Sequence, residues 1–183
     1  MLTTGQRNAV VVAHPDDETL WAGALLASRE KSSREKPWDV ICCTVPRRDP
    51  ERSLRFYEAV RVLGGFPILI PITETEPNED LPHLAVVDLS PYDCVVTHNK
   101  EGEYGHRHHR NVHEYVMRSD VPAVYSFGYG AGTEEVFVAS NRKEQALMCY
   151  DHTSPSDGQP KWQALLDRYP INLHREYFNV ERR

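Results

Sequence analysis

Val10-Val11-Val12-Ala13-His14-Pro15-Asp16-Asp17-Glu18 is the stretch on which the reading of the fold turns. Its β-branched run reads as a strand covered on both faces, and Pro15 forces the chain out of it. His14, Asp16 and Asp17 therefore stand at a strand's C-terminal end, where open α/β sheets place their ligands. One histidine and two adjacent acids supply two metal ligands and leave a carboxylate over as a base. Such a set awaits a third ligand from elsewhere in the chain.

Working outward, short apolar runs at Ala9 to Val12, Val40 to Val45, Ile68 to Ile70, Cys94 to Thr97 and Ala123 to Ser126 read as strands. Between them, Thr19 to Arg29 and Pro50 to Leu63 have helical periodicity, and Asn141 to Met148 and Trp162 to Asp167 read as helices further on. The alternation predicts an α/β fold, a Rossmann-like three-layer sandwich in which helices cover both faces of a mostly parallel sheet. Thr73 to Pro82, with four acids and two prolines, reads as a solvated surface loop rather than a metal site. Ser126 to Gly132 reads as a glycine-rich turn bordering the pocket, since no phosphate-loop Lys-Ser/Thr follows it.

Five of the nine histidines fall between Thr97 and His113, directly after the apolar Cys94-Val95-Val96. His106, His109 and His113 recur at a spacing that a helix starting near Gly105 shows on one face. A solvated histidine-rich surface is the competing reading. The interleaving with Arg, Glu and Tyr favours metal or catalytic use of at least one of them, with His98 and His113 open to a structural role.

The two segments together resemble the signatures of the LmbE-like (PIG-L) zinc-dependent N-acetylglucosaminyl deacetylases, A-H-P-D-D-E and G-H-x-x-H. They stand here as Ala13 to Glu18 and Gly105 to His109, about ninety residues apart. The likeness runs on through Arg52 and Leu63-Gly64 and fades after about residue 130. It implies the LmbE-like fold, with His14, Asp17 and His109 as metal ligands and water in the open position of a catalytic site. It further implies Asp16 as general base, His106 facing the developing oxyanion or the leaving amine, Tyr104 helping to polarise the carbonyl, and Arg52 reaching the substrate. Glu18, in the first helical turn, reads as a supporting or capping residue.

One departure from the family matters. Many members read G-H-P-D-H, and here Arg107 and His108 replace the Pro and Asp. Without that carboxylate His106 is expected to be neutral near pH 7 unless Glu101, Glu103 or Glu114 supplies the charge. Arg55 and Leu54 also stand where members commonly carry Glu.

The implied chemistry is amide hydrolysis. A metal, Zn²⁺ with Fe²⁺ as the alternative, activates water, and each well-placed donor to the oxyanion contributes about 3 kcal/mol. The implied substrate is an N-acetylated amino sugar or its conjugate. An amidase for another N-acyl compound, such as a thiol conjugate, is the nearest rival, and a degenerate sugar-binding module is the rival outside enzymes.

Composition agrees with a small-molecule enzyme. At 183 residues and 40% hydrophobic, the chain reads as one domain, 1–183. A net charge of −6 argues against nucleic acid as the main partner. The sequence shows neither a twenty-residue apolar span nor a signal-peptide core, so a cytoplasmic protein is expected, with a homo-oligomer left open. Cys42, Cys43, Cys94 and Cys149 have no zinc-knuckle or redox spacing and read as small buried hydrophobes. Tyr129, His152 and Trp162 are the aromatics that could stack on a sugar.

Overall fold

In the computed structural model, which describes residues 7–28, 36–138, 140–150 and 171–182, the chain alternates strand and helix through its first two-thirds. The order is β1 (Asn8–Val12), α1 (Asp17–Ser28), β2 (Asp39–Val45), α2 (Glu51–Leu63), β3 (Phe66–Thr73), a 3-10 turn (Leu84–Val86), β4 (Cys94–Thr97), α3 (Arg107–Met117), β5 (Ala123–Gly128), β6 (Glu134–Phe137), α4 (Arg142–Tyr150) and β7 (Arg175–Arg182). The five strands expected from the apolar runs are all present. The helix and loop expected at 162–167 and 153–160, with His152 and Trp162, lie outside the described residues.

The sheet runs β3-β2-β1-β4-β5-β7-β6, with the first five strands parallel. From β1 the chain winds outward to β2 and β3, then returns to place β4 on the other side of β1. That reversal opens a crevice at the C-terminal ends of β1 and β4, where such sheets bind ligands. β7 then pairs antiparallel with β5, and β6 with β7, so the sheet is mixed at one end. Neither strand shows in the sequence as an apolar run, because β6 is Glu-Glu-Val-Phe and β7 begins and ends with arginine.

Strand alternation builds two cores. Val10, Val12, Val40, Cys42, Cys94 and Val96 face Leu25, Phe56, Val60 and Leu147 from α1, α2 and α4. Ala9, Val11, Ile41, Cys43 and Val95 face the opposite way, onto Val112 and Val116 of α3. Cys42, Cys43 and Cys94 are buried with free thiols, as small core residues are. α2 ends at Gly64, whose φ of 89° is the left-handed conformation that closes a helix. No helix among the described residues is long and apolar enough to cross a membrane.

Helix α1 carries the first motif and is buried from Asp17 to Ala27. An ion pair from the C-terminal part of the chain is bonded to its backbone. The fully buried Lys143 donates from Nζ to the Leu20 carbonyl at 2.8 Å and to Glu176 at 2.7 Å. Glu176 in turn accepts from the amides of Ala24, at 2.7 Å, and Leu25, at 2.9 Å. The pair thus ties the Leu20 carbonyl and the Ala24 and Leu25 amides of α1 to α4 and β7. Removing one partner leaves the other charge buried and unpaired, so Lys143→Met is expected to cost about 3–5 kcal/mol in urea unfolding. A loss below about 1 kcal/mol would show that the pair is dispensable to the fold.

Candidate metal and catalytic site

The chain leaves β1 at Ala13, which is pinned on both sides. Its carbonyl accepts from Thr44 Oγ1 at 2.7 Å, and its amide donates to His98 Nε2 at 3.0 Å. Beyond His14 the backbone bends so sharply that Asp16 adopts a φ of 108°, a costly conformation for a residue with a side chain. The bend sends the two aspartates in different directions. Asp17 turns back, accepting from the His14 amide at 2.9 Å, while Asp16 turns toward α2 and pairs with Arg52.

The second motif arrives through a loop after β4 that is wired from within. Asn99 Oδ1 accepts from the amides of Glu101 and Glu103, both at 3.0 Å, and Glu103 Oε1 accepts from the Asn99 amide at 2.8 Å. Gly102 has no room for a β-carbon, which would lie 2.5 Å from the His106 carbonyl. The loop drives Glu103 inward, where its Oε2 accepts from His109 Nδ1 at 2.5 Å and from His98 Nδ1 at 2.9 Å. Burial would raise the Glu103 pKa, but the two histidines override it and bring it to about 2.

His109 is the focus of the site. Its Nδ1 is held by Glu103, and its fully buried Nε2 has no hydrogen-bond partner while lying 3.4 Å from Asp17 Oδ2. The same Asp17 oxygen lies 3.2 Å from His14 Nδ1. Burial works against a charge on His109, yet Asp17 and Glu103 lift its pKa to about 10. The pocket is therefore built to hold positive charge at Nε2, which a proton or a metal ion supplies. A buried orphan nitrogen facing a carboxylate, with its ring fixed by a second carboxylate behind it, is an arrangement that suits a metal ion. Among the described residues the donors of Asp17, His98 and His109, of His14, His106 and His109, and of His14, Glu74 and His108 each lie close enough together to hold a metal ion, and Asp17 Oδ2 lies within 3.4 Å of both His14 Nδ1 and His109 Nε2.

Two other histidines of the segment are structural. The His98 lone pair is taken by the Ala13 amide, and His113 Nδ1 donates to the His98 carbonyl at 2.8 Å. The three-histidine helical face is thus divided, with His106 capping α3, His109 in the site and His113 bracing β4.

His106 lines the cavity with Asp16, Arg52, Glu74, Tyr104 and Trp21, a space of about 220 Å³. Its Nδ1 accepts from the His108 amide at 3.2 Å, which leaves the proton on Nε2. Burial, then the charges of His109 and His14, push its pKa down to about 3. No glutamate rescues it, since Glu103 is spent on His98 and His109 and both Glu101 and Glu114 are exposed. Tyr104 packs its ring edge-on to His106 and His109, at 5.9 and 5.4 Å between centroids. Arg52, expected to reach the substrate, lines the cavity and stands on the Asp16 carboxylate. Burial and the neighbouring Asp17 raise the Asp16 pKa, with Arg52 and His14 opposing. Glu18 is fully buried and accepts from the Asp16 amide at 3.0 Å, Thr19 Oγ1 at 2.6 Å and Tyr150 OH at 2.7 Å. Burial, above all, lifts its pKa to about 7.

The expected surface loop after β3 needs correction. Its acids are not all solvated, because Glu74 Oε1 lies 3.5 Å from His14 Nε2 and lines the cavity. Asp80 receives Arg107 at 2.6 and 2.9 Å and Asn111 Nδ2 at 2.7 Å, which straps the loop to α3. Glu74 and Glu103 were missed as site residues. Only the rule that a ligating histidine has a carboxylate behind it points to Glu103.

No family model matches the chain. Among curated proteins it is 24% identical to uncharacterized protein L374 of Acanthamoeba polyphaga mimivirus, over 73% of this chain and 67% of that one. Among solved structures it resembles the N,N'-diacetylchitobiose deacetylase of Pyrococcus horikoshii, with a TM-score of 0.71 at 16% identity over 96% of this chain and 83% of that one. It also resembles GalB, the 4-carboxy-2-hydroxymuconate hydratase of Pseudomonas putida KT2440, with a TM-score of 0.64 at 15% identity over 96% of each chain. The chain shares the fold of these proteins, the LmbE-like α/β fold expected from the sequence.

Glu103→Gln keeps the size of the side chain and removes its charge. It is expected to weaken Zn²⁺ binding about 10–100-fold, measured by competition with a chelating dye. Unchanged affinity would mean that Glu103 serves the loop alone.

Proposed function

We propose that the protein is a metal-dependent hydrolase that removes the acetyl group from an N-acetylated amino sugar or sugar conjugate. The observation that carries this reading is the convergence of His14 Nδ1, Asp17 Oδ2 and the orphan His109 Nε2, with Asp16 and His106 facing the same cavity. The likeness to deacetylases supports the choice of an N-acetyl group. A divalent metal held by His14, Asp17 and His109 supplies Lewis-acid polarisation of the carbonyl and a lowered pKa for water.

The side chains do the rest. Asp16 takes a proton from the attacking water as the oxygen–carbon bond forms, and its raised pKa suits it to give that proton back. Arg52 holds the carboxylate in place and keeps a cation beside it. His106, neutral and protonated on Nε2, donates to the oxygen that gains negative charge, with Tyr104 against its ring. The carbon–nitrogen bond then breaks, and protonated Asp16 delivers its proton to the leaving nitrogen. The products are acetate and a free amine.

The hydratase likeness favours one second reading, addition of water to an unsaturated acid at the same site. A panel of N-acetyl amino sugars and conjugates, assayed for acetate and primary amine with Zn²⁺ added, separates the two. Equal amounts of acetate and amine are expected from at least one member, and none from any member overturns the proposal. Asp16→Asn is expected to lower kcat by about 100-fold or more with Zn²⁺ still bound, whereas Asp17→Asn lowers metal affinity. The reverse pattern would exchange the roles of the two aspartates.

A further inference from the structure

The sequence places His108 where many relatives carry Asp, next to the catalytic histidine. The structure gives it another partner. His108 is fully buried, and its Nδ1 lies 2.8 Å from His14 Nε2. Its other nitrogen, Nε2, lies 3.0 Å from Thr75 Oγ1 and 3.3 Å from the Glu76 carbonyl, both on the strap between β3 and the 3-10 turn.

The proton positions follow from what each group can do. A carbonyl only accepts, so the contact to Glu76 puts the proton on His108 Nε2. Thr75 agrees, because its hydroxyl donates to the Asp80 carbonyl at 3.4 Å and leaves its lone pairs for His108. His108 Nδ1 is then an acceptor, and His14 Nε2 must donate to it. Glu74 Oε1, 3.5 Å from the same His14 nitrogen, favours a proton there too. His14 Nδ1 is left as a bare lone pair directed at Asp17 and the metal position.

We infer that His108 is a positioning residue that fixes the tautomer and orientation of His14 and ties this ligand to the strap, a role resting on the metal-site reading above. Carboxylates and carbonyls commonly hold ligating histidines in this way, and here a neutral imidazole does so. The strap is in turn anchored through Asp80 to Arg107 and Asn111 of α3, the helix that carries His109. One hydrogen-bonded circuit therefore joins the two proposed histidine ligands, His14 after β1 and His109 on α3.

Four variants test this, each compared with wild type as full-length protein titrated with Zn²⁺ alone after metal removal. His108→Asn keeps an acceptor near the Nδ1 place and is expected to bind Zn²⁺ within about threefold of wild type, against the 10–100-fold that loss of such a partner costs. His108→Asp offers a charged acceptor and is expected to bind as tightly or more tightly. His108→Gln reaches only toward the strap, and His108→Leu keeps volume without either contact. Both are expected to lose about 10–100-fold. Side-chain ¹⁵N NMR of the metal-free protein is expected to show Nε2-protonated His14 in wild type and in His108→Asn. Thermal unfolding of the metal-free variants identifies any that fail to fold, and the Asn against Gln comparison then decides among those that do. If Leu and Gln bind as wild type does, or Asn and Gln lose equally, His108 merely fills space. If wild type binds no Zn²⁺, the metal-site reading itself fails.

Discussion

Two carboxylates, Asp17 and Glu103, confront one buried imidazole from opposite sides, and the rest of the site depends on that arrangement. Neither acid is stable in the interior without positive charge nearby, and His109 stands between them with Nδ1 on Glu103 and Nε2 turned to Asp17. A proton on Nε2 or a metal ion between Asp17 and His109 supplies that charge. Glu103 is the fixed member, held by the Asn99 turn and shared with His98, so the geometry of His109 is set before any ligand arrives.

The fold supplies this convergence through topology. β1 and β4 are adjacent in the sheet although more than eighty residues separate them, and the register pairs Val11 with Thr97. His14 and the 99–109 segment therefore emerge side by side at the strand ends. α1 and α3 begin there on opposite faces of the sheet, one bringing Asp17 and the other His109. The Asp16 bend separates the two carboxylates, sending Asp17 toward His109 and Asp16 toward Arg52, which is what the two proposed roles need. The backbone cost is met by the surrounding hydrogen bonds from His14, Asp16 and Arg52.

Much of this was legible in the sequence, and what was not has a physical cause. The parallel strands show as β-branched runs because both of their faces are buried. β6 and β7 lie at the antiparallel end of the sheet, are partly exposed, and carry charges that hide them. His14, Asp16, Asp17 and His109 stand out through motif spacing, and the structure brings them together. The partners behind them do not stand out. Glu103 and Glu74 are single acids among many, and their roles arise from a tight loop and from a strap that folds back over α3. His108 reads as a neighbour of His106, yet its side chain points to His14, a direction that helix geometry at the start of α3 decides and residue identity does not.

The most direct test of the account is anomalous diffraction at the zinc edge from crystals of the protein grown with Zn²⁺. The account predicts one strong peak bonded to His14 Nδ1, Asp17 and His109 Nε2, at about 2.0–2.2 Å from each. A peak on one of the groups whose donors lie close enough together to hold a metal among the described residues, His14, Glu74 and His108, or His14, His106 and His109, or Asp17, His98 and His109, or no peak in the cavity at all, would contradict it.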